Sequence, residues 1–438
     1  MIKKRVLIHV DLKRRDMAPI VFLKYELEEL GMEVALCSRV TARWLFLAFR
    51  PHIFVNSHCY MHGLKQLNFW RKYCELVVVP TEGAIDFKSL FLADVQGNRR
   101  LIDGREDKTF TDLVKRYYSW GDLQKSWLIE SGIMNESQVL TTGSTRYDTN
   151  SSNQEDTKNE KKIGFLANYS RINLFDRRSI LKMIDAERKV NGGIYHEGKE
   201  LEGGFWCIFA TARLMFEIFD NMKDQGNSIL LRPHPNEWMG AYDPILEKYS
   251  PKIELSQHID MGEYLKNINV MIVMMSTSVI DAIYCKVPVI CLEDMLGGEY
   301  LKHVDHPVRR KDYLDWLWRP KNHDELNELI ERAKKGELPV CPQIEKFSPY
   351  LSSVYNLPCD QTASKQIALD LKKIADQTDK SSISVLGFGW FLYYAAITFR
   401  FMKYIVKPSL RKEDQNYHLL LYQPKEEGEI LKRYKGLH

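Results

Sequence analysis

Short apolar runs recur along the first 300 residues, each ending in a polar break and most leading into a stretch of helical periodicity. The first, Val6-Leu7-Ile8-His9-Val10, reads as a buried strand followed by a charged loop, Asp11 to Asp16. Pro19 suits the first turn of a helix that runs to about Leu30 and stops at Gly31. Further strands are predicted at Val34–Cys37, Ile53–Val55, Leu76–Val79, Arg116–Ser119 and Val139–Thr142, with a helix from Gly121 to about Ser131. Short apolar strands alternating with helices make βαβ units and hence a parallel sheet.

The pattern stops at Thr149. From there to Lys162 the chain is polar and charged with no apolar period, as an interdomain linker is. A second series then opens. Strand Ile163–Ala167 runs onto Asn168-Tyr169-Ser170-Arg171, and a polar, Gly-rich insert, Asn191 to Gly204, precedes a long helix from about Trp206 to Asp224. Strand Ser228–Leu231 breaks into Arg232-Pro233-His234-Pro235, and Asp260 with Glu263 resembles a capping box. Strand Val270–Met274 leads to Ser276-Thr277-Ser278 and a helix over Val279–Cys285, and strand Val287–Leu292 ends at Glu293 and Asp294. The expectation is an α/β protein of two tandem Rossmann-like domains facing a cleft, 1–150 and 163–345, with a helical tail over 346–438.

Leu326–Lys334, still within the second domain, and Ser364–Gln377 in the tail read as surface helices. Ile383 to Phe399 is an aromatic-rich apolar run of about 17 residues, followed by Arg400, Lys403, Lys407, Arg411 and Lys412. That length is at the lower edge for a membrane span, whereas the aromatic density and basic flank suit a segment, about 383–412, lying in the membrane interface. Packing against the protein's own domains and true spanning are the other two readings.

Composition narrows the class. Hydrophobic content of 45% and charged content of 27% fit a folded chain rather than a disordered one, and 438 residues suffice for two or three domains. A net charge of +4 is too small to imply nucleic acid. The apolar run at the N-terminus is too short for a signal segment, and no 20-residue apolar span occurs in the first 380 residues. Eight Cys are scattered without CxxC pairs, and Cys37, Cys207 and Cys291 sit in apolar runs, the usage of reduced cytoplasmic thiols. His58 and His62 have i, i+4 spacing but no third ligand, so no metal site is assigned.

In open α/β sheets ligands sit beyond the C-terminal strand ends. In the second half those ends carry Asn168, Ser170 and Arg171, then Arg232 and His234, then Ser276, Thr277 and Ser278, then Glu293. The Pro-bracketed Arg232 and His234 read as an ordinary turn or as a phosphate-holding loop. Ser276 to Ser278 read as a helix cap, an anion site, or both. In the first half the ends carry Asp11, Arg15 and Asp16, Asn56 to His58, and Pro80-Thr81-Glu82-Gly83. Glu82 reads as a general base for an acceptor hydroxyl or as a helix-start carboxylate.

The ordered set Val6 to Asp16, Val79-Pro80-Thr81-Glu82-Gly83, Tyr118-Ser119-Trp120-Gly121, Thr142 to Asp148, Arg232-Pro233-His234-Pro235, Ser276-Thr277-Ser278 and Lys286 to Ile290 resembles glycosyltransferases of GT-B fold. More narrowly, it resembles bacterial capsule and lipopolysaccharide biosynthesis proteins related to CMP-sialic acid and CMP-Kdo transferases. The match covers roughly residues 5 to 295. The resemblance implies that His234 contacts the nucleotide phosphate and assists the leaving group. It implies that Ser276, Thr277 and Ser278 hold the same phosphate with charge added by Arg232, and that Glu82 is the base. Glu82 stands in Thr-Glu-Gly where the sialyltransferases have an acidic pair, so inverting and retaining outcomes both stay open. Asn168, Ser170, Arg171 and Glu293 are nucleotide-side candidates, and Asp11, Arg15 and Asp16 acceptor-side candidates.

The expected activity is metal-independent transfer from a nucleotide-sugar donor, preferably a CMP-linked ulosonic acid, to a glycan or glycolipid acceptor. No cofactor and no nucleic-acid partner is expected. The expected location is cytoplasmic, peripheral on the inner face of the cell membrane. The alternatives are a UDP-sugar or CDP-polyol transferase on the same fold, a UDP-sugar 2-epimerase, and a non-catalytic scaffold of a polysaccharide-assembly complex.

Overall fold

Two parallel sheets carry the fold. In a computed structural model, residues 3–59, 62–81, 88–95, 110–148, 161–169, 173, 199–235, 237–256, 261–274, 276–296, 315–355, 361–378, 380, 388–406 and 424–435 are described. Two units result: Met1–Ser151 with Tyr350–His438, and Ser152–Pro349.

The first unit begins β1 (Arg5–His9), α1 (Lys13–Glu29), β2 (Glu33–Cys37), α2 (Ala42–Phe49), β3 (Ile53–Asn56), α3 (Leu64–Arg71), β4 (Glu75–Val78), α4 (Lys88–Val95), β5 (Arg116–Ser119), α5 (Asp122–Glu130) and β6 (Val139–Thr141). The sheet order is β2-β1-β3-β4-β5-β6, with every pairing parallel. All six strands fall where the apolar runs put them. These runs are readable because both faces of the central strands are covered: Val6, Leu7, Ile53, Phe54 and Val77 have no exposed surface. Helix α1 starts earlier than its proline suggests. Pro19 lies inside it, where it removes the bond its N–H would give to the Arg15 carbonyl. The helix start is held instead by Asp16, whose carboxylate accepts the Leu12 N–H at 2.9 Å. At the other end Gly31 takes the left-handed conformation, φ +77°, as expected.

The second unit continues with β7 (Lys162–Leu166), α6 (Lys199–Asp224), β8 (Ile229–Arg232), α7 (Asp243–Tyr249), β9 (Ile253–Leu255), α8 (Met261–Lys266), β10 (Ile268–Val273), α9 (Ser278–Tyr284), β11 (Val289–Cys291) and α10 (His323–Lys334). Its sheet order is β11-β10-β7-β8-β9. β9 escapes the sequence pattern because it is a three-residue edge strand, with Glu254 exposed between Ile253 and Leu255. The linker residues 149–160 and Asp260 of the expected capping box lie outside the described residues.

After α11 (Ile344–Val354) come α12 (Ala363–Gln377), α13 (Phe388–Val406) and α14 (Pro424–Lys435). The expected tail, 346–438, is from Tyr350 onward part of the first unit. Ile367, Ala368, Leu371, Ile374 and Ala375 of α12 and Ile430 of α14 belong to the same buried cluster as Val21, Phe22 and Leu23 of α1. Apolar residues at i, i+1, i+4, i+7 and i+8, counted from Ile367, turn one face of α12 onto that core. The Asp148 carboxylate accepts the Ala363 and Ser364 N–H groups, both at 2.8 Å. Arg116 Nε and the Tyr118 hydroxyl donate to Asp370 at 2.8 and 3.0 Å. α13 lies along α2, with Tyr393 packed against the cluster of Ala42, Leu45, Phe46 and Phe49. Among the described residues no helix is long and apolar enough to cross a membrane.

The motif Tyr118-Ser119-Trp120-Gly121 acquires a packing role. Trp120 Nε1 donates to the Pro80 carbonyl at 3.0 Å, and its ring lies 5.8 Å from that of Tyr355. A Cβ on Gly121 would fall 2.3 Å from the Val354 carbonyl oxygen, so this glycine lets the returning chain close on the sheet. Gly121→Ala is expected to destabilise the protein by about 1–3 kcal/mol through overpacking against backbone. Urea unfolding checks this, and an unchanged midpoint would show that the contact yields freely.

Candidate functional site

β7, β8 and β10 are adjacent and parallel, so their C-terminal ends open on one edge of the second sheet. A cavity of about 50 Å³ lies there, lined by Ala167, Asn168, Arg232, His234, Ser276 and Ser278 among others. It has room for a group the size of a phosphate, not for a whole nucleotide. Three of the four strand-end clusters predicted in the second half therefore reach one place, though not with every residue.

Arg232 is the last residue of β8, in register with Leu166 of β7. Its guanidinium is largely buried and lies 5.4 Å from the centre of the Tyr264 ring, a cation–π contact that orients it. The Tyr264 hydroxyl donates to the Leu230 carbonyl at 3.1 Å, fixing that ring. Pro233 and Pro235 flank the half-buried His234, and the Glu237 N–H donates to the His234 carbonyl at 3.0 Å, closing the turn. Asn168 is exposed at the end of β7. Ser276 and Ser278 line the cavity, and Ser276 Oγ accepts the Ser278 N–H at 3.1 Å. Thr277 is the N-cap residue of the seven-residue α9. The capping reading of this triplet thus holds, with two of its hydroxyls at the cavity.

Other candidates are placed differently. Glu293 follows β11, is 2% exposed and pairs with Arg319 Nη2 at 3.0 Å. Asp294 also holds Arg319, at 3.0 Å from its Nε. Arg15 bonds Asp11 at 3.0 Å, Asp16 and, at 3.4 Å, Thr81 Oγ1, so these three acceptor-side candidates form one network at the start of α1. Glu82, Ser170 and Arg171 lie outside the described residues. His58 and His62 do not share a helix: they sit in the β3–α3 connection, and Gly63 caps α3.

Two features were not anticipated. At the C-terminal edge of the first sheet, His9 Nδ1 lies 3.2 Å from Ser57 Oγ, and its ring meets His62 edge-on with centroids 4.7 Å apart. Burial, with Arg39 nearby, pushes His62 down to about 4, so its ring is neutral at neutral pH. The one cue for this pair was a histidine closing an apolar strand. The second feature is Glu237, fully buried two residues beyond the Pro bracket. Its carboxylate accepts the Tyr169 N–H and the Tyr242 hydroxyl, tying the end of β7 to the His234 loop. Desolvation outweighs those bonds and pushes Glu237 up to about 7.

Two sheets of this topology in one chain, each with its helices, make the GT-B fold. Solved structures of the wall teichoic acid polymerase TagF share it. One soaked with CDPG has a TM-score of 0.53 at 15% identity, covering 86% of this chain and 90% of that chain. A further TagF structure has a TM-score of 0.51 at 13% identity over the same shares. The S. aureus MnaA–UDP structure has a TM-score of 0.48 at 14% identity, covering 87% of this chain and 99% of that chain. At these identities the similarity is one of fold. No protein-family model matches the chain, and no curated relative does.

Glu237 makes a pH prediction. Its folded pKa of about 7 lies above its ordinary 4.5, so the folded state holds the proton more tightly than the unfolded one. Its contribution to stability is complete below pH 4.5 and is lost as the pH rises through about 7. Thermal unfolding at pH 5 and pH 8 is expected to show a smaller pH loss in Glu237→Gln than in the parent. Equal losses would place the titration elsewhere.

Proposed function

We propose that the protein is a transferase that uses a nucleotide-activated donor to build a cell-surface glycan or polyol polymer. The observation that carries this reading is the convergence of Arg232, His234, Ser276 and Ser278 on one phosphate-sized cavity at a parallel strand edge. Arg232 and the two hydroxyls meet the charge of a donor phosphate, and His234 donates a hydrogen bond or proton to the departing phosphate. Glu82 is assigned the acceptor proton, on the strength of its place after β4 and the motif resemblance.

A cytidine nucleotide is the donor class we favour. A CDP-linked polyol has the stronger support, since TagF, whose fold this chain shares, was soaked with CDPG. In that case an acceptor hydroxyl attacks the distal phosphorus, the pyrophosphate bridge breaks and CMP leaves. The CMP-linked ulosonic acid is the second reading, favoured by the ordered motifs from Val6 to Ile290. There the acceptor oxygen attacks the anomeric carbon, and CMP leaves with the bond electrons. An epimerase has no use for an acceptor or a membrane surface. The apolar α13 speaks for a transferase acting peripherally on the inner face of the membrane.

Thermal shift with CMP, CDP, UDP and GDP tests the donor class. A ligand at about 100 times its dissociation constant adds roughly 2.7 kcal/mol of stability. CMP and CDP are expected to stabilise the protein, UDP and GDP not, and the reverse order would overturn the cytidine assignment. His234→Ala is expected to lower transfer by about 10²-fold or more, the scale of a general acid, with unfolding unchanged. Near-parental turnover would remove His234 from the reaction.

A further inference from the structure

Helix α13 carries apolar side chains on all sides, with Arg400 and Lys403 toward its C-terminal end. Leu392, Tyr393, Ala396 and Ile397 are half-buried on the α2 side, as is Arg400. The opposite side presents Phe391, Tyr394, Met402 and Ile405, with exposures of 65, 61, 52 and 82%. A helix of this kind belongs either in a protein core or in lipid, and among the described residues α13 has a protein neighbour along one side only. Between α2 and α13 runs a partly open cavity of about 400 Å³, in the size range of small-molecule sites, about 300–1,000 Å³. Its walls include Val40 and Trp44 from α2 and its approach, and Tyr393, Ala396 and Phe399 from α13, while Arg400 and Lys403 complete its lining.

Charge says what covers this face. Residues 34 to 74, which contain α2 and α3, carry six basic side chains and no acidic one. Residues 380 to 412, which contain α13, likewise carry six basic side chains and no acidic one. The rest of the chain therefore has more acidic than basic side chains. The two acid-free stretches lie some three hundred residues apart, and the fold packs α2 of the first along α13 of the second. A second copy of the chain docking by the same face would set basic against basic. An anionic lipid surface matches both the charge and the exposed apolar side.

We propose that α2 and α13 form a lipid-binding site. α13 lies in the plane of an anionic phospholipid bilayer, one acyl chain of a phospholipid enters the α2–α13 cavity, and Arg400 and Lys403 hold its phosphate. This rests on the membrane-surface part of the proposed function and adds a site that a flat docking face would not have.

The test uses the full chain, vesicles of phosphatidylcholine with or without 30% phosphatidylglycerol, and acyl-chain-brominated lipid as a quencher of tryptophan fluorescence. Binding is expected to the anionic vesicles and to fall at least tenfold on neutral ones. Brominated lipid is expected to quench Trp44, seen as a component absent from Trp44→Phe. Ala395→Trp, at an exposed position lining the cavity, is expected to remove that component while the protein still sediments with vesicles. Quenching unaffected by either substitution, with binding retained, would overturn the acyl-chain site and leave flat docking. No sedimentation with anionic vesicles would overturn both the site and the membrane surface it rests on. Circular dichroism of each variant against the parent excludes misfolding as the cause.

Discussion

The first unit depends on a contact between residues more than two hundred positions apart. Asp148, just after the last strand of its sheet, takes the first two N–H groups of α12 on its carboxylate. A helix start leaves such donors without intrahelical partners. Here a buried side chain from the far side of the second unit's sequence supplies them. Burial pushes Asp148 up to about 6 against the pull of those bonds, so a desolvation cost accompanies the anchoring. Docked this way, α12 covers α1, and Asp370 on its next turns receives Arg116 and Tyr118 from β5. The close approach at Gly121 serves the same closure. The sheet of the first unit is thus covered by a segment that lies 215 residues further along the chain than Asp148.

The second unit solves a similar problem locally. A strand end that is to hold an anion needs its cation fixed before the anion arrives. Tyr264 backs Arg232, the two prolines hold the turn, and Glu237 ties that turn to the end of β7. A carboxylate beside a phosphate pocket looks like a fault, since it would repel the ligand. Its burial resolves this: with a pKa of about 7, Glu237 carries its full charge only above neutral pH.

The central strands were legible because both of their faces are covered, which leaves a nearly unbroken apolar run; Ile53-Phe54-Val55 is wholly apolar and wholly buried. β9 was not, because an edge strand of three residues carries no such run. The start of α1 was misread because Pro19 was given its usual first-turn place, and the bonds that tolerate it, from Asp16 and Arg15, are not visible in a list of charged residues. At the site, Arg232 and His234 were legible since prolines mark a turn and the strand before them is plain. Glu237 was not, because nothing in Asn236-Glu237-Trp238 says that a carboxylate is buried; that follows from where Tyr169 and Tyr242 fall in three dimensions. His9 was hidden for the opposite reason, being taken as one more residue of an apolar strand.

The apolar segment near the C-terminus shows where reading along the chain stops. Its composition is the same whether it is buried, crosses a bilayer or lies in the interface, and counting residues separates only the second case. Packing adds what counting lacks. α13 meets α2 on one side and has large apolar side chains exposed on the other. Acidic residues are also absent from two stretches far apart in sequence. Either stretch alone is a local fluctuation in a chain of near-neutral charge. In the fold α2 and α13 lie side by side, and the absence of acidic residues from both becomes a property of one surface.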